Sequence, residues 1–198
     1  MTVAVLVLAA GGSRRLGRPK QLVRMHGRSL LALAVTRALD LGPLWIGVVV
    51  GAGASRLAAE LSSSPVEIVV ARNWRQGLSA SLRAGLARVP RQATDLLVTT
   101  VDQWAVTSSD LRRLLRQRGR SPVAAAYDGV LGIPALFPRR AWRALGALEG
   151  DRGARALLEA PGVRAVAVEA AAVDLDTPED LRRLRASNRR IHDLKYIL

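Results

Sequence analysis

The chain has 198 residues, 49% of them hydrophobic, no cysteine and a net charge of +14. That length makes one good-sized domain with a substantial core, and the apolar share excludes wholesale disorder. No window holds the ~20 unbroken apolar residues of a membrane span, and a chain without cysteine has no disulfide, thiolate nucleophile or zinc–thiolate site, which suits a cytoplasmic setting.

The opening "MTVAVLVLAAGG" lacks the basic start of a signal peptide and reads as a buried first strand, Val3–Ala9. Further apolar runs predict strands at Leu44–Gly51, Val66–Ala71, Asp95–Val101, Val123–Tyr127 and Val163–Val168. Between them, helical periodicity predicts amphipathic helices over Ser29–Leu41, Ala54–Leu61, Ser79–Arg88, Ser108–Arg118 and Arg139–Leu148. Ser108 or Ser109 would cap "DLRRLL", and Thr177-Pro178-Glu179-Asp180 sets a cap, an N1 proline and two acids at a further helix start. Strands this apolar, separated by helices, predict an α/β fold: a mostly parallel sheet covered on both faces. The segment after Leu184, "RASNRRIHDLKYIL", departs from the compact pattern and is expected as a basic tail over 185–198.

The positive charge is almost all arginine, since Lys20 and Lys195 are the only lysines, and it is spread over most predicted helices. Aromatics are 4% of the chain, too few for a base-stacking surface, so the field suits an anionic small substrate better than nucleic acid. Where arginine is this plentiful, the single lysine at position 20 stands out. In an open parallel sheet, ligands bind beyond the carboxyl ends of the strands. Three polar clusters fall there: Gly11–Lys20, Asp102-Gln103 and Asp174–Asp180.

The first of these, "LAAGGSRRLGRPKQL", has the glycine and positive charge of a phosphate loop. A Walker A loop requires lysine and a hydroxyl residue directly after its last glycine, but Arg18 and Pro19 follow Gly17. A dinucleotide fingerprint requires Gly-x-Gly-x-x-Gly and an acid after the second strand, whereas here that strand ends in "VVVGAG". What remains, LAAGxSxRLGxxK, resembles the signature loop of nucleotidyltransferases with a Rossmann-like three-layer sandwich of the nucleotide-diphospho-sugar transferase type. Leu8 belongs to the same nucleotide-binding stretch, in which the small residues Ala9, Ala10 and Gly11 let the backbone approach a base and ribose. Amides around Gly12 and Ser13 can face a triphosphate, and Arg15 and Lys20 supply charge where pyrophosphate leaves.

Beyond the loop, "NWRQGLSASLRAGL" (Asn73–Leu86), "GIPALFPRRAW" (Gly132–Trp142), "GDRGARALL" (Gly150–Leu158) and "DLDTPEDL" (Asp174–Leu181) resemble the molybdenum cofactor cytidylyltransferases of the MobA-like/MocA-like NTP transferase family. The resemblance spans the chain to about Leu184. It implies one nucleotidyltransferase domain over 1–184, its N-terminal part binding nucleotide and its C-terminal part the acceptor. It implies CTP as donor, with Ala10 as the cytidylyl marker where GTP-using relatives carry glycine, and molybdopterin as acceptor. CMP transfer then gives the cytosine dinucleotide cofactor and pyrophosphate. Asp102 and Asp176 match the acids that bind Mg²⁺ or Mn²⁺, with Asp174 the competing candidate beside Asp176. Asn73, Gly77, Ser79 and Ser81 would line the nucleotide pocket. Gln103, Trp104, Gly132, Pro134, Gly150, Asp151 and Arg155 would line the acceptor pocket. A recipient molybdoenzyme or its chaperone is a further expected partner, and a membrane is not.

Two departures fall on the acceptor side. The family usually has proline after Asp-Gln, where Trp104 stands here, and Gly-His-Pro where this chain has Gly132-Ile133-Pro134. A related nucleotidyltransferase with another acceptor or base, and a non-catalytic cofactor-binding or delivery protein, are therefore the alternatives.

Overall fold

The computed structural model describes residues 2–150 and 154–194. The first strand, β1 (Val3–Ala9), is apolar at every position and lies in the middle of a seven-stranded sheet. It pairs in parallel with β4 (Trp45–Val50) on one side and β6 (Asp95–Thr100) on the other. Beyond β4 lies β5 (Glu67–Val70), also parallel. On the other flank β8 (Val130–Pro138) runs antiparallel to β6, followed by β7 (Val123–Tyr127) and then β9 (Arg164–Ala167) at the edge. The order is thus β5-β4-β1-β6-β8-β7-β9.

Alternation along β1 explains why it is apolar throughout. Val5 and Val7 face a layer built by α1 (Leu30–Leu39), α2 (Ala54–Glu60), α4 (Ser108–Arg116) and α7 (Pro178–Leu194), where they join Leu31, Leu57, Leu111 and Leu184. Ala4, Leu6 and Leu8 face the opposite layer of α3 (Leu78–Leu86), α5 (Trp142–Gly146) and α6 (Arg155–Leu158), with Leu82, Leu145 and Leu158. A strand covered on both faces has no polar side to show. Both layers are needed to bury it, so the three-layer sandwich follows from the sequence pattern.

The structure departs from the predicted elements in several places, the short helix α6 among them. The strand β8 was not expected, because Gly132 and Pro134 interrupt its apolar run and proline cannot donate to a ladder. It reverses direction, so this flank of the sheet is mixed rather than parallel. A two-residue hairpin, β2 (Arg24–Met25) and β3 (Arg28–Ser29), precedes α1. The cap of α4 is Thr107 rather than Ser108 or Ser109; its hydroxyl and the Asp110 carboxylate form a reciprocal capping box. Residues 185–194, expected as a tail, continue α7, whose first turn holds Glu179 and Asp180.

Register positions the loops that matter. Leu8 aligns with Thr100, so the chain leaves β1 and β6 side by side at the same carboxyl edge. This is where the chain, having laid β4 and β5 to one side of β1, crosses to lay β6 on the other, a topological switch point. Phe137 is fully buried in the layer of α3 and α5. Phe137→Ala is expected to lower unfolding free energy by about 3–5 kcal/mol in urea titration, the range for a large core deletion.

Candidate active site

The loop after β1 is folded back on itself by short polar contacts. Ser13 adopts φ +50°, a strained value for a side-chain-bearing residue, and its carbonyl accepts from the Gly17 amide at 3.1 Å. Its hydroxyl accepts from the Lys20 amide at 3.0 Å. Gly17 takes φ +73°, which glycine adopts without strain. Gln21 is buried beneath the loop, and its Nε2 donates to the carbonyls of Ala9 at 2.7 Å and Gly11 at 2.8 Å. A buried carbonyl left without a donor costs about 1–3 kcal/mol, so Gln21 determines where the loop can lie.

A second brace comes from Trp74, in the 3₁₀ turn Trp74–Gln76 after β5. A Cβ built on Gly51 would lie 2.6 Å from the Trp74 ring and 2.8 Å from the Ala10 carbonyl, and one on Gly12 would lie 3.1 Å from the same ring. The indole is wedged between the ends of β1 and β4, and the two glycines make room for it. Sequence reasoning placed the site on Asn73 and passed over its neighbour. The two glycines that receive the ring are distant from it in sequence, so its place in a short turn after a strand gives no sign of the fit. Arg75 stacks over the ring, 4.9 Å from its centroid.

Between the loop and α3 opens a cavity of about 350 Å³, lined by Leu8–Gly11, Arg14, Lys20, Trp74, Gly77, Ser81, Thr100 and Asp102, among others. Its size and its mix of apolar wall and few polar groups suit a nucleotide. At its rim the three clusters named from sequence meet. The Lys20 ammonium donates to Asp102 Oδ2 at 2.6 Å and to Asp176 Oδ1 at 2.8 Å. Arg15 Nη2 donates to Asp176 Oδ2 at 2.6 Å. Desolvation alone would lower the Lys20 pKa, but Asp102 first and Asp176 next outweigh it and hold it above the usual lysine range.

Asp176 is held by its own helix start. The Asp180 carboxylate accepts from the amides of Asp176 at 3.1 Å and Thr177 at 2.8 Å and from the Thr177 hydroxyl at 2.7 Å. Those bonds, the Thr177 hydroxyl foremost, keep the Asp180 carboxyl below its ordinary range. The Thr-Pro-Glu-Asp motif therefore serves both as helix cap and as mount for the acid. Asp174 keeps an exposed surface, yet the protein crowding its carboxyl, followed by the charges of Asp102 and Asp176, pushes its pKa up to about 7.

A separate cavity of about 280 Å³ lies on the far side of the ion cluster, lined by Arg15, Trp104, Asp174, Asp176, Thr177 and Arg183, among others. Asp102 faces the first cavity and Asp176 the second, with Lys20 between them. Trp104 is half-buried; its carbonyl accepts from Arg37 at 2.7 Å, and its Nε1 is buried without a hydrogen-bond partner among the described residues.

The other expected residues divide. Ala9, Ala10, Gly11, Gly77 and Ser81 line the first cavity as expected, as does Leu8. Gly12 supports Trp74 from behind, and Asn73 is an exposed residue at the start of the 3₁₀ turn. Ser79 is buried and its hydroxyl donates to the Gly150 carbonyl at 2.8 Å, so it anchors the 150 segment rather than facing the cavity. Gln103 is buried too, its amide committed to the carbonyls of Ile133 at 2.7 Å and Ala171 at 2.9 Å. It braces β8 and the 3₁₀ turn over 169–172 and leaves no amide donor free. Gly132 lies against the Tyr127 hydroxyl, which leaves no room for a Cβ there. Burial, and then the charge of Asp174, raise the Tyr127 pKa. Pro134 follows a cis peptide bond in β8, and Arg155 is exposed and paired with Glu159 at 2.7 Å. Gly132, Pro134, Gly150 and Arg155 line neither cavity, and Asp151 lies outside the described residues.

Hard carboxylate oxygens suit a divalent cation such as Mg²⁺, and Lys20 shows that one small cation can reach both Asp102 and Asp176. Among the described residues no three His, Cys, Asp or Glu side chains gather closely enough to hold a metal alone. Two carboxylates completed by substrate phosphates are the usual way such a site holds Mg²⁺.

A phosphate-type loop, a nucleotide-sized cavity and paired acids at a switch point define a nucleotide-handling α/β domain. Its residues 5–168 match the family model of the MobA-like NTP transferase domain, and the chain belongs to that family. The fold is that of a nucleotidyltransferase. Nicotine blue oxidoreductase of Paenarthrobacter nicotinovorans is 30% identical over 196 residues, covering 92% of this chain and 96% of that protein. Rv0371c of Mycobacterium tuberculosis superposes with TM-score 0.83 at 32% identity, covering 93% of this chain and 98% of that one. The same protein in complex with manganese gives 0.79 at 29%, with the same coverage. A nucleotidyl transferase of Methanothermobacter gives 0.83 at 25%, covering 96% and 99%.

Gln21→Leu keeps the bulk but removes both donors under the loop. It is expected to lower stability by about 1–3 kcal/mol in chemical denaturation, together with weaker nucleotide binding by calorimetry.

Proposed function

We propose that the protein transfers CMP from CTP to the terminal phosphate of molybdopterin, releasing pyrophosphate in a reaction that depends on Mg²⁺ or Mn²⁺. The observation that carries this reading is the Arg15–Lys20–Asp102–Asp176 cluster set between two cavities. A donor in the first cavity and an acceptor in the second would meet at the cluster. The acceptor's phosphate oxygen attacks the α-phosphorus of CTP, and the bond to the pyrophosphate oxygen breaks in line. No protein nucleophile is required. Arg15 and Lys20 would neutralise the charge growing on pyrophosphate, as preorganised donors do. Asp102 and Asp176 would hold the divalent cation, which when bound would offset the negative charge of the phosphates. The manganese complex of Rv0371c supports a divalent cation here.

For this to happen Lys20 must leave the two carboxylates and turn its ammonium to phosphate. The N-terminal part would then serve the donor and the C-terminal part the acceptor. The small, buried Ala10 in the cavity wall supports cytidine as base. Trp104 in the second cavity, with Ile133 on the strand behind it, favours a second reading in which the acceptor is another phosphorylated compound.

Pyrophosphate release measured with CTP or GTP, with and without molybdopterin, tests the reading. CTP with molybdopterin is expected to turn over and to stop on chelation by EDTA. Lys20→Ala and Asp102→Ala are each expected to cut turnover roughly 10²-fold, the scale of losing one preorganised charge. Turnover with CTP and a different phosphorylated acceptor would establish the second reading. Following NADH and NADPH oxidation in the same mixtures covers the activity named by the nicotine blue oxidoreductase relative; redox turnover without pyrophosphate release would overturn nucleotidyl transfer.

Lys20 also competes with a metal for the same oxygens. In manganese titration without nucleotide, Lys20→Met is expected to bind Mn²⁺ roughly tenfold more tightly than the wild type, an effect of about 1.4 kcal/mol from removed repulsion. Unchanged or weaker binding would place the metal elsewhere.

A further inference from the structure

On the outer face of the signature loop, away from the nucleotide cavity, lies a third cavity of about 480 Å³. Arg18 comes from the loop itself, Arg24 from β2, Arg56 from α2 and Arg185 from α7. The rest of the lining includes Leu22, Val23 and Leu181, and no acidic side chain contributes to it. Arg24 uses one donor on the Gly27 carbonyl at 2.7 Å. None of the four forms an ion pair with another described residue. Some exposed arginines elsewhere are neutralised, Arg88 by Glu67 at 2.6 Å, Arg182 by Glu179 at 2.6 Å and Arg155 by Glu159 at 2.7 Å, whereas Arg112, Arg116 and Arg118 around another cavity form no ion pair among the described residues and come from a single stretch of chain rather than from four elements.

Four guanidinium groups from four separate elements, gathered around one concavity without a counter-charge, repel one another, and an anion relieves the repulsion. Guanidinium forks match phosphate oxygens in pairs, and the apolar floor lowers the local dielectric beneath them. The volume fits a small molecule. A smaller cavity of about 100 Å³ shares Pro19, Leu22 and Arg56 with it and reaches the back of Gly11 and Gly12. We propose that this cavity is a second anion site, distinct from the nucleotide site, that takes a small polyphosphate. A ligand there rests on Arg18 and Pro19, directly before Lys20, so it touches the outer face of the loop whose inner face lines the nucleotide cavity.

Calorimetry with inorganic tripolyphosphate as the probe, in EDTA and at saturating CTP, tests the site. The wild type is expected to bind one equivalent that CTP does not displace. Arg56→Ala/Arg185→Ala is expected to weaken that equivalent at least tenfold while leaving CTP affinity unchanged; Arg56→Gln/Arg185→Gln serves if the first variant folds poorly. Arg112→Ala/Arg116→Ala removes the same charge from another surface cavity and is expected to leave binding unchanged. Full displacement by CTP, unchanged binding in the Arg56/Arg185 variants, or an equal loss in the Arg112/Arg116 control would each overturn the proposal.

Discussion

One ammonium group shared by two carboxylates organises this molecule. Lys20 lies 82 residues from Asp102 and 156 from Asp176, yet its Nζ is within 2.8 Å of an oxygen of each. Three segments have to be delivered to one point for that to occur: the loops directly after β1 and β6, and the stretch between the 3₁₀ turn at 169–172 and α7. Two carboxylates at that distance without a cation would repel strongly in a partly dehydrated site. The lysine lets the fold assemble an acid pair before any ligand arrives, and Asp174 nearby is pushed above the usual carboxylate range, by burial first and by the charges of Asp102 and Asp176 next.

The sheet delivers the pieces. Central β1 and β6 end in register, which brings the signature loop and Asp102 together without long connections. The capping box at Thr177 and Asp180 fixes Asp176 through backbone amides rather than through a flexible linker. Buried amides do comparable work in two places: Gln21 holds the loop after β1, and Gln103 ties β8 and the 169–172 turn to the end of β6. Both are glutamines under loops, with their amide donors committed to backbone carbonyls.

Much of this was legible in the sequence because the strands are short, apolar and bounded by polar loops. β1, β6 and β7 lie where the apolar runs put them, and the late lysine of the loop marked the centre of the site. What escaped has a physical reason in each case. β8 carries a glycine and two prolines, so its apolar residues read as a motif rather than a strand. Trp74 contributes by filling the space above two glycines that are distant in sequence, and no local pattern records such a fit. Ser79 and Gln103 look like pocket residues by position, but burial turned their polar atoms toward the backbone. Whether a polar side chain serves a ligand or a carbonyl depends on a rotation of one or two bonds, which spacing does not encode.

The wall of charges between the two cavities separates two kinds of change. Residues that would hold the nucleotide lie on one side, on β1, β6 and the start of α3; Trp104, Arg183 and the 172–177 segment lie on the other. Side chains at positions 104 and 183 belong to the lining of the second cavity, which shares no residue with that of the first. Lineages built on this architecture can therefore diversify what enters the second cavity while the first stays constant. The same division gives protein engineers a natural cut line for reshaping one cavity, with Lys20 and its two aspartates left in place.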